Sequence, residues 1–212
     1  MGIQERRQRE KEELRDLILD AARELFAERG YDAVTMRGIA ERIEYSPTAI
    51  YLYFQDKESL IRAICDADFG ALAGHFQTIA GIEDPVERIR AIGRAYAGFA
   101  RSHPNHYRLM FMTPPAPGMP LESELEQGNP EEDAYAFLRL AVEEAIRRGR
   151  LRDQFIDPDL VSQVLWAGIH GVVSLRIAKQ SDGWLQWRDE QETVEAMIEA
   201  LLSGVARPGK ED

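Results

Sequence analysis

The sequence predicts an all-α protein, in which a three-helix N-terminal helix-turn-helix head is joined to a larger helical C-terminal domain, with about nine helices in total. Apolar residues recur every three or four positions through most of the chain, which is the period of an amphipathic helix. Helix starts are also marked, because four capping residues are followed directly by proline. They are Ser46-Pro47, Asp84-Pro85, Asn129-Pro130 and Asp157-Pro158. No strand is expected.

The first predicted helix spans residues 11–29 and follows a charged arm, residues 1–10, that we expect to be frayed. Gly30 would end this helix, since glycine is favoured just after a helix C-terminus. One side of the helix is apolar and would pack against the helices that follow. This stripe consists of Leu14, Leu17, Ile18, Ala21, Ala22, Leu25 and Phe26.

Two short helices joined by a tight turn follow between Thr35 and Phe54. Thr35 and Ser46 are their N-caps, and the second helix would run over residues 47–53. The inner faces consist of Ile39, Ala40, Ile43, Ile50 and Phe54, and the outer face of the second helix of Thr48, Ala49, Tyr51 and Tyr53. This is the layout of a helix-turn-helix, whose second helix enters the major groove of DNA. Taken alone, the pattern fits two helices that simply pack together about equally well.

The turn between these two helices consists of Glu44-Tyr45-Ser46. Such a turn needs a residue with left-handed backbone, and a glutamate there would be strained. Alternatively, the first short helix runs one residue further and the turn differs. In either case, Glu44 places a carboxylate near the face that would meet DNA.

A fourth helix is expected over residues 56–80, with Asp56 as its N-cap. It would link two domains mechanically, an N-terminal domain of residues 1–55 and a C-terminal domain of residues 56–212. Residues 113–128 hold four prolines and two glycines, which indicates a mobile loop. Five further helices are expected at about 85–102, 104–112, 130–148, 158–180 and 189–206.

The composition is that of a water-soluble globular protein, with 44% hydrophobic and 30% charged residues and no apolar run near the roughly 20 residues that span a bilayer. The one cysteine, Cys65, suits a reducing cytoplasm. The net charge is −11, and residues 1–60 carry 10 Lys and Arg against 13 Asp and Glu. A DNA-binding surface must therefore segregate its cations. The candidates are Arg6, Arg7, Arg9, Lys11, Arg37 and Lys57.

No catalytic site can be assembled from the sequence, which has no glycine-rich phosphate loop, no nucleophile elbow and no distinguishable Ser/His/Asp set. His103 and His106 are three residues apart, but a metal site needs three or four convergent ligands. We therefore expect no metal, no cofactor and no enzyme activity. Trp166 and His170 are four residues apart and share one side of an apolar helix. His170 is either a packed histidine between helices or part of a ligand pocket or dimer interface.

The stretch from Ile18 to Ile64 closely resembles the DNA-binding domain of the TetR family of transcriptional regulators. The matching positions are Ala21-Ala22, Leu25-Phe26, Gly30-Tyr31, Thr35, Arg37-Gly38-Ile39-Ala40, Ser46, Tyr51, Tyr53-Phe54, Lys57 and Leu60. Glycine is common in the family at the position of Glu44, so the turn departs from the pattern. The resemblance implies two sets of DNA contacts. Phosphates would be met by Thr35, Arg37, Tyr53 and Lys57, and base edges by Thr48, Ala49 and Tyr51, on a recognition helix that starts at Ser46 and Pro47.

The C-terminal part resembles one subgroup of the same family, through the pattern W-x-x-x-H-G at residues 166–171 and the segment HPNHYRLMF at residues 103–111. The last two long helices of the family form a four-helix dimer interface, which here implies a homodimer through residues 158–180 and 189–206. An effector pocket would lie among the helices between residues 85 and 180, and each candidate lining residue is also a plausible core residue. The candidates are Tyr96, Phe99, Tyr107, Met110, Phe111, Phe137, Trp166 and His170.

Two hypotheses for the function follow. The first is a ligand-responsive transcriptional repressor that binds a palindromic operator in double-stranded DNA as a homodimer and is released by an unknown, small and largely apolar effector. The second is a helical dimeric interaction module with a degenerate head that does not bind DNA, which the acidic balance and Glu44 favour. Either protein would be cytoplasmic, with no membrane partner.

Overall fold

The computed structural model of the chain describes residues 2–113 and 123–208, and these residues form nine α-helices. They are α1 (Ile3–Arg29), α2 (Met36–Arg42), α3 (Pro47–Tyr51), α4 (Lys57–Gln77), α5 (Pro85–Ser102), α6 (Pro104–Phe111), α7 (Ala134–Arg147), α8 (Pro158–Lys179) and α9 (Glu190–Val205). An isolated antiparallel bridge between Leu151 and Ala206 is the only β pairing in the described residues. The all-α prediction is confirmed. Most of the predicted loop, residues 114–122, lies outside the described part of the chain.

The chain divides into two compact units. The head unit contains Met1–Asp68 and Asn105–Glu124, and the body unit contains Phe69–Pro104 and Leu125–Asp212. This division lies further along the chain than the predicted one at residues 55 and 56, because the first turns of α4 bury apolar side chains in the core of the head unit. These are Leu60, Ile61 and Ile64.

The core of the head unit forms between the apolar stripe of α1 and the inner faces of α2, α3 and α4. The predicted stripe of α1 is buried except at Leu14, which is partly buried, and at Leu17, which is exposed. From α3, Ile50 alone is buried, and Phe54 is buried just beyond its end. The short helix therefore depends on its neighbours for most of the core. The largest fully buried side chains of this core are Phe26, Ile18, Ile39, Ile50, Leu60 and Ile64.

The N-terminal arm is helical, since α1 begins at Ile3 rather than near residue 11. Local polar contacts explain the difference. The Glu5 carboxylate accepts the N–H of Gly2 at 2.8 Å, and Arg6 donates to Glu10 at 2.8 Å, one turn further on. Exposed pairs at this spacing stabilise a helix by about 0.2–0.5 kcal/mol each. The charge run was expected to fray, but its opposite signs lie one turn apart and support the helix.

A buried ion pair joins α1 to α4 inside the head unit. Arg23 donates from Nε to Asp68 Oδ2 at 3.1 Å and from Nη2 to Asp68 Oδ1 at 2.8 Å, and both side chains are buried. On α6, His106 Nδ1 lies 3.0 Å from the same Oδ1. Removing one member of a buried pair usually costs about 3–5 kcal/mol, because the other charge is left uncompensated. Together with the buried Leu109, this polar contact explains why α6 belongs to the head unit.

Two helices of the body unit differ from their predicted bounds. α4 ends at Gln77, three residues early, and α7 begins at Ala134, four residues late. Asn129-Pro130 forms a turn rather than a helix start, because the Asn129 carbonyl accepts the N–H of Asp133 at 2.7 Å. Asp133 itself then caps α7 through its side chain. The remaining predicted caps of the body unit, at the starts of α5, α8 and α9, are confirmed as Asp84, Asp157 and Asp189.

α8 lies against α5, α7 and α9 in the body unit. It packs tightly against α9 at Gly168, where an added Cβ would lie 2.7 Å from the Leu201 side chain. One side of α8 is buried, along Val161, Leu165 and Ile169. By length and composition alone α8 could cross a membrane, a property that core helices of water-soluble proteins share.

The turn between α2 and α3 is a Schellman motif with Glu44 in the left-handed position. Glu44 has a φ of 59°, the only positive φ among the described non-glycine residues. The N–H of Tyr45 bonds to the Ala40 carbonyl at 3.0 Å, and the N–H of Glu44 to the Glu41 carbonyl at 3.3 Å. These two bonds define the motif. Of the two alternatives that the sequence leaves open, the strained turn is the one observed.

Replacing Glu44 by glycine is expected to stabilise the head unit by about 1 kcal/mol, because glycine has no Cβ to disfavour the left-handed backbone. Glu44→Gln is the matched control, since it keeps the strained backbone and removes only the charge, and should change stability by less than about 0.5 kcal/mol. Hydrogen exchange of the α2 and α3 amides measures both effects. Equal stabilisation by the two variants would assign the effect to charge rather than to backbone strain.

Candidate nucleic-acid interface and effector region

Each of the two helices of the motif, α2 and α3, begins at a side-chain cap. The Ser46 hydroxyl accepts the N–H of Ala49 at 3.3 Å, and the Thr35 hydroxyl accepts the N–H of Gly38 at 3.0 Å. Both caps were predicted, and Pro47 occupies the first position of α3. The helix ends at Tyr51, so it is two residues shorter than predicted.

The outer side of α3 is exposed along most of its length. Ile50 is fully buried, whereas Tyr51 is 53% exposed. Pro47 and Thr48 are exposed as well, and Ala49 and Tyr53 are half-buried. The predicted inner and outer faces therefore agree with the structure. An exposed side of this kind, on a helix fixed by the rest of the head unit, is what insertion into a DNA groove requires.

Two exposed apolar residues beside α3 are absent from the predicted set of contacts. Leu52 is 79% exposed, and Tyr45 in the turn is exposed too. Leu52 lies two residues after the buried Ile50, which is close to the opposite side of a helix. The helical period of the sequence therefore predicts that Leu52 is exposed on the outer side. Apolar side chains on a groove-facing helix contact thymine methyl groups.

Lys57 is bound within the head unit. Its ammonium donates to the carbonyls of Tyr31 and Val34 at 2.8 and 3.1 Å and lies 4.0 Å from the centre of the Tyr31 ring. Burial and the hydrogen bond to Glu58 raise the pKa of Tyr31 to about 12, so the ring stays neutral. Lys57 thereby fastens the connection between α1 and α2 to the start of α4. An ammonium has three N–H donors, and these two bonds use two of them.

Arg37 is placed on the exposed side of α2. Its side chain is 80% exposed and pairs with Glu41 one turn further on, at 2.9 Å. Arg42 is half-exposed and lies 3.4 Å from Glu28. Exposed pairs of this kind are worth about 0–1 kcal/mol, so a phosphate can displace the carboxylate from either guanidinium.

The eight predicted pocket residues are distributed over both units. Tyr107, Met110 and Phe111 belong to the head unit, where the Tyr107 and Phe111 rings lie 4.9 Å apart. The other five belong to the body unit. There Phe99 contacts the rings of His75 and His103, and Phe137 contacts Phe76, so these two residues are part of the core.

The remaining three predicted residues form a hydrogen-bonded chain in the body unit. Trp166 donates its indole N–H to the Tyr96 hydroxyl at 3.0 Å, and that hydroxyl lies 3.1 Å from Nδ1 of His170. The Tyr96 hydroxyl therefore lies between the indole N–H of Trp166 and the imidazole of His170, and either it or Nδ1 can be the donor of the second bond, depending on the imidazole tautomer. Burial lowers the pKa of His170, in agreement with a neutral ring. The chain connects α5 to α8.

An open groove of about 530 Å³ lies on the α7 and α8 side of Trp166. The Tyr135 hydroxyl donates to Asp159 at 3.3 Å, and Arg139 donates to the same oxygen at 3.0 Å. Of the predicted pocket residues, Trp166 alone lines this groove. The complete lining consists of Tyr135, Asp159, Gln163, Trp166 and Ala167. Asp159, Gln163 and Trp166 recur at spacings of four and three, so the helical period of the sequence places them on one side of α8.

Among the described residues, the surroundings of Cys65 and of the histidines differ from those of a reactive thiol and of a metal site. Burial, and after it the charges of Asp68 and Asp66, raise the pKa of the Cys65 thiol to about 11, so it is protonated at neutral pH. Within residues 2–113 and 123–208, no group of three or more His, Cys, Asp or Glu is placed to bind a metal.

We expect His170 to contribute to the pH dependence of stability. Its pKa is lower in the folded protein than the unfolded value of about 6.5, so its contribution is fully present above that value and is lost as the pH falls through the folded-state pKa. His170→Asn retains an acceptor for the Tyr96 hydroxyl and removes the titration. The wild type should therefore lose more stability than His170→Asn between about pH 7.5 and pH 5.5.

Tryptophan fluorescence during chemical denaturation measures this difference, because all three tryptophans lie in the body unit. Equal losses of stability in the two proteins would show that another group titrates.

Two family models match the chain. The model of bacterial regulatory proteins of the tetR family matches residues 18–64, and the model of the tetracyclin repressor-like C-terminal domain matches residues 89–201, which is more than half of the chain. The first match covers the C-terminal part of α1, all of α2 and α3, and the start of α4. The second runs from α5 into α9.

The curated relatives are similar to this chain over less than half of their own length. The HTH-type transcriptional regulator UidR of Escherichia coli K12 is 34% identical over 85 residues, 40% of this chain and 40% of UidR. The HTH-type transcriptional activator FasR of Mycolicibacterium smegmatis is 33% identical over 102 residues, 48% of this chain and 47% of FasR. The HTH-type transcriptional repressor AcnR of Corynebacterium diphtheriae is 41% identical over 59 residues, 28% of this chain and 31% of AcnR. The chain thus spans less than half the length of these relatives.

Solved structures share the fold over nearly the whole chain. A TetR family transcription regulator from Marinobacter aquaeolei VT8 has a TM-score of 0.74 at 22% identity, covering 95% of this chain and 100% of that one. The fatty acid degradation regulator FadR from Bacillus halodurans has a TM-score of 0.70 at 18% identity, covering 89% and 94%. At these identities the likeness concerns the fold. Together with the two matching family models, the exposed and capped helix-turn-helix shows that this chain belongs to the TetR family of DNA-binding transcriptional regulators.

Proposed function

We propose that this protein is a cytoplasmic, ligand-responsive repressor that binds a palindromic operator as a homodimer and is released by a small, largely apolar effector. The observation that supports the proposal most strongly is the exposed outer side of α3, on a helix whose start is capped by Ser46 and whose inner side is buried through Ile50. Among the relatives, AcnR is named a repressor and FasR an activator. We propose repression because a dimer bound at the promoter blocks transcription by occupying the DNA, whereas activation needs a further contact with the transcription machinery.

Side chains of α3 would contact the edges of the bases in the major groove. The exposed Thr48 and Tyr51 and the half-buried Ala49 are on the side away from Ile50. A threonine or alanine methyl and a tyrosine ring contact thymine methyl groups, and hydroxyls bond to base edges. Ser46 and Pro47 set the start of the helix and so its depth in the groove. A homodimer would place two such helices in major grooves about one helical turn apart, or a near multiple.

Four residues in and around α2, α3 and α4 would contact the DNA phosphates: Thr35, Arg37, Tyr53 and Lys57. The exposed pair of Arg37 with Glu41 is weak enough for a phosphate to displace the carboxylate. Lys57 would have two roles, since its bonds to the connection between α1 and α2 orient the N–H that would reach a phosphate. Such contacts fix the orientation of the protein on DNA without specifying the sequence.

The homodimer would form through α8 and α9. The outward side of α8 leaves Leu160, Val164 and Leu175 about half exposed. α9 is also exposed along small residues, at Ala196 and Ala200. Apolar side chains that stay exposed over such a length indicate an interface.

The effector would bind in the body unit, where the Tyr96–Trp166–His170 chain provides polar groups among apolar side chains. A few polar groups in an apolar surrounding are typical of small-molecule sites. α4 begins in the head unit and ends in the body unit, so a tilt of α4 would spread the two heads of the dimer. A 100-fold loss of DNA affinity needs about 2.7 kcal/mol of coupling, and the effector must prefer the spread state by that amount.

Tyr51→Ala and Lys57→Ala test the assignment of the DNA contacts. Tyr51→Ala should weaken binding to the DNA upstream of the protein's own gene by about 10- to 100-fold, because a base contact contributes about 1–3 kcal/mol of binding free energy. The dependence of the affinity on salt concentration, the salt slope, should not change, because no phosphate contact is lost. Lys57→Ala should weaken binding to all sequences and reduce the salt slope by about one for each subunit. Gel-shift titrations at several salt concentrations measure both quantities.

Arg147→Ala is the control, because this side chain is exposed on α7 in the body unit. It should bind the same DNA within about twofold of the wild type. Wild-type affinity in both head variants would refute the contact assignment. A protein that dimerises but selects no sequence even at low salt would support the interaction module instead.

A further inference from the structure

The segment that contains α3 has no side chain that forms paired hydrogen bonds with a base. From Ser46 to Phe54 the sequence reads SPTAIYLYF, without Arg, Lys, His, Asn, Gln, Asp or Glu. Guanine is bound in the major groove by Arg or Lys, adenine by Asn or Gln, and cytosine by Glu or Asp. None of these contacts can be made from this segment. Its hydroxyl groups bond to more than one kind of base, so they discriminate little.

Large apolar side chains are exposed in and beside the same segment. Leu52 is 79% exposed, and Tyr51 and Tyr45 are exposed as well. In the described part of the head unit, the other exposed large hydrophobic side chains are Leu17 and Met112. More than half of this set therefore lies within eight consecutive residues, 45–52. Exposed apolar side chains that are gathered in one place indicate a contact surface.

Thr48 and Leu52 lie furthest around the helix from the buried Ile50. Each is two residues from Ile50, and a helix turns by about 100° per residue, so both lie about 160° around the helix from it. The helical backbone continues through Leu52, which has a φ of −72° and a ψ of −20°. Tyr51 lies about 100° from Ile50, at the edge of the outer side. Thr48 and Leu52 are therefore the centre of the side that would face the floor of the major groove.

Charged and amide side chains flank this segment in the sequence rather than lying on α3. Glu44 precedes it, and Gln55, Asp56 and Lys57 follow it. The Asp56 carboxylate accepts the N–H of Ser59 at 2.7 Å, and the Lys57 ammonium is bound to two carbonyls of the head unit. Base recognition by α3 itself therefore depends on uncharged side chains, and at its centre on the methyl groups of a leucine and a threonine.

From these observations we infer that each operator half-site contains thymines that the protein recognises by their C5-methyl groups, one packed against Leu52 and one against the methyl group of Thr48. Thymine is the base that presents a methyl group in the major groove. The inference rests on the proposed function and adds to it the identity of the bases and the role of Leu52. Burial of one methyl group increases affinity about fourfold, and a dimer makes each contact twice, once in each half-site.

Replacement of thymine by uracil tests the inference, because it removes the methyl group and keeps every hydrogen-bonding group of the base. The probe is the duplex that the full-length wild-type protein selects from random sequences. Each half-site thymine is replaced in turn, at both symmetric positions, and gel-shift titrations measure the affinity. At the two thymines concerned, the affinity should fall about 10- to 20-fold. Uracil at thymines outside the half-sites is the control and should change the affinity by less than about twofold, because no methyl contact is lost there.

Substitutions in the protein identify which side chain contacts each methyl group. Leu52→Ala should bind the thymine and uracil duplexes equally at one of the two positions. Thr48→Ser removes a methyl group and keeps the hydroxyl, so it should lose the discrimination at the other position. Thr48→Val is the matched control, because it keeps the methyl group, loses the hydroxyl and should retain the discrimination. Both positions are exposed, so these changes should leave the fold intact.

The outcomes separate base recognition from DNA binding itself. The inference would be overturned, while DNA binding stands, if uracil at every half-site thymine left the affinity unchanged or if the selected half-sites contained no thymine. Discrimination that persists in both Leu52→Ala and Thr48→Ser would overturn the assignment to these two residues. A wild-type protein that selects no sequence would overturn the proposed function and the inference together.

Discussion

The packing of α1, α2 and α4 beneath α3 is the interaction on which the DNA-binding surface depends. A helix of five residues is unstable alone, and α3 buries Ile50 as its one fully enclosed side chain. Its position must therefore come from elsewhere. The Ser46 cap and the Schellman turn fix its start, and Phe54 fixes the chain after its end. α1, α2 and α4 supply the core beneath it, and α1 and α4 are tied together by the buried pair of Arg23 and Asp68.

Negative charge close to α3 has consequences for how the protein would meet DNA. Arg37 and Arg42 each lie beside a carboxylate of the same unit, and Glu44 adds a further negative charge at the turn. In the proposed complex, DNA phosphates would have to displace these carboxylates, so each contact would yield less free energy than an unpaired cation would supply. Non-specific binding would then be weak, and we expect much of the affinity to come from base contacts along Thr48, Tyr51 and the exposed Leu52.

Local features of the fold were predictable from the sequence, and contacts between distant residues were not. The caps at Thr35 and Ser46 and the stripe of α1 depend on neighbours within one turn, so residue type and spacing identify them. The role of Lys57 depends on carbonyls 23 and 26 residues away, and the membership of α6 in the head unit depends on His106 meeting Asp68. Asn129-Pro130 has the composition of a helix start, but Asp133 forms the better cap four residues later.

The candidate sites divide in the same way. The faces of α3 followed from a 3.6-residue period, whereas the predicted pocket residues were chosen as large apolar or aromatic side chains between residues 85 and 180. Of the eight, Tyr96, Trp166 and His170 form the hydrogen-bonded chain, Phe99 and Phe137 are buried, and the other three belong to the head unit, so their lining of an effector pocket stays a prediction. Tyr135, Asp159 and Gln163 are not among the eight, because only the tertiary arrangement of α7 and α8 brings them together. The W-x-x-x-H-G subgroup stays a prediction.

Selection of bound sequences from a pool of random duplex DNA is the most direct measurement of whether α3 specifies an operator. The full-length wild-type protein should enrich an inverted repeat whose half-sites are centred about one helical turn, roughly 10 base pairs, or a near multiple apart. Tyr51→Ala, selected in parallel, should lose or change the preference within each half-site while the half-site spacing is kept. The account would be contradicted if the wild type enriched no motif, or only a single unrepeated site. Either result would mean that the protein does not bind an operator as a dimer with one α3 helix in each half-site.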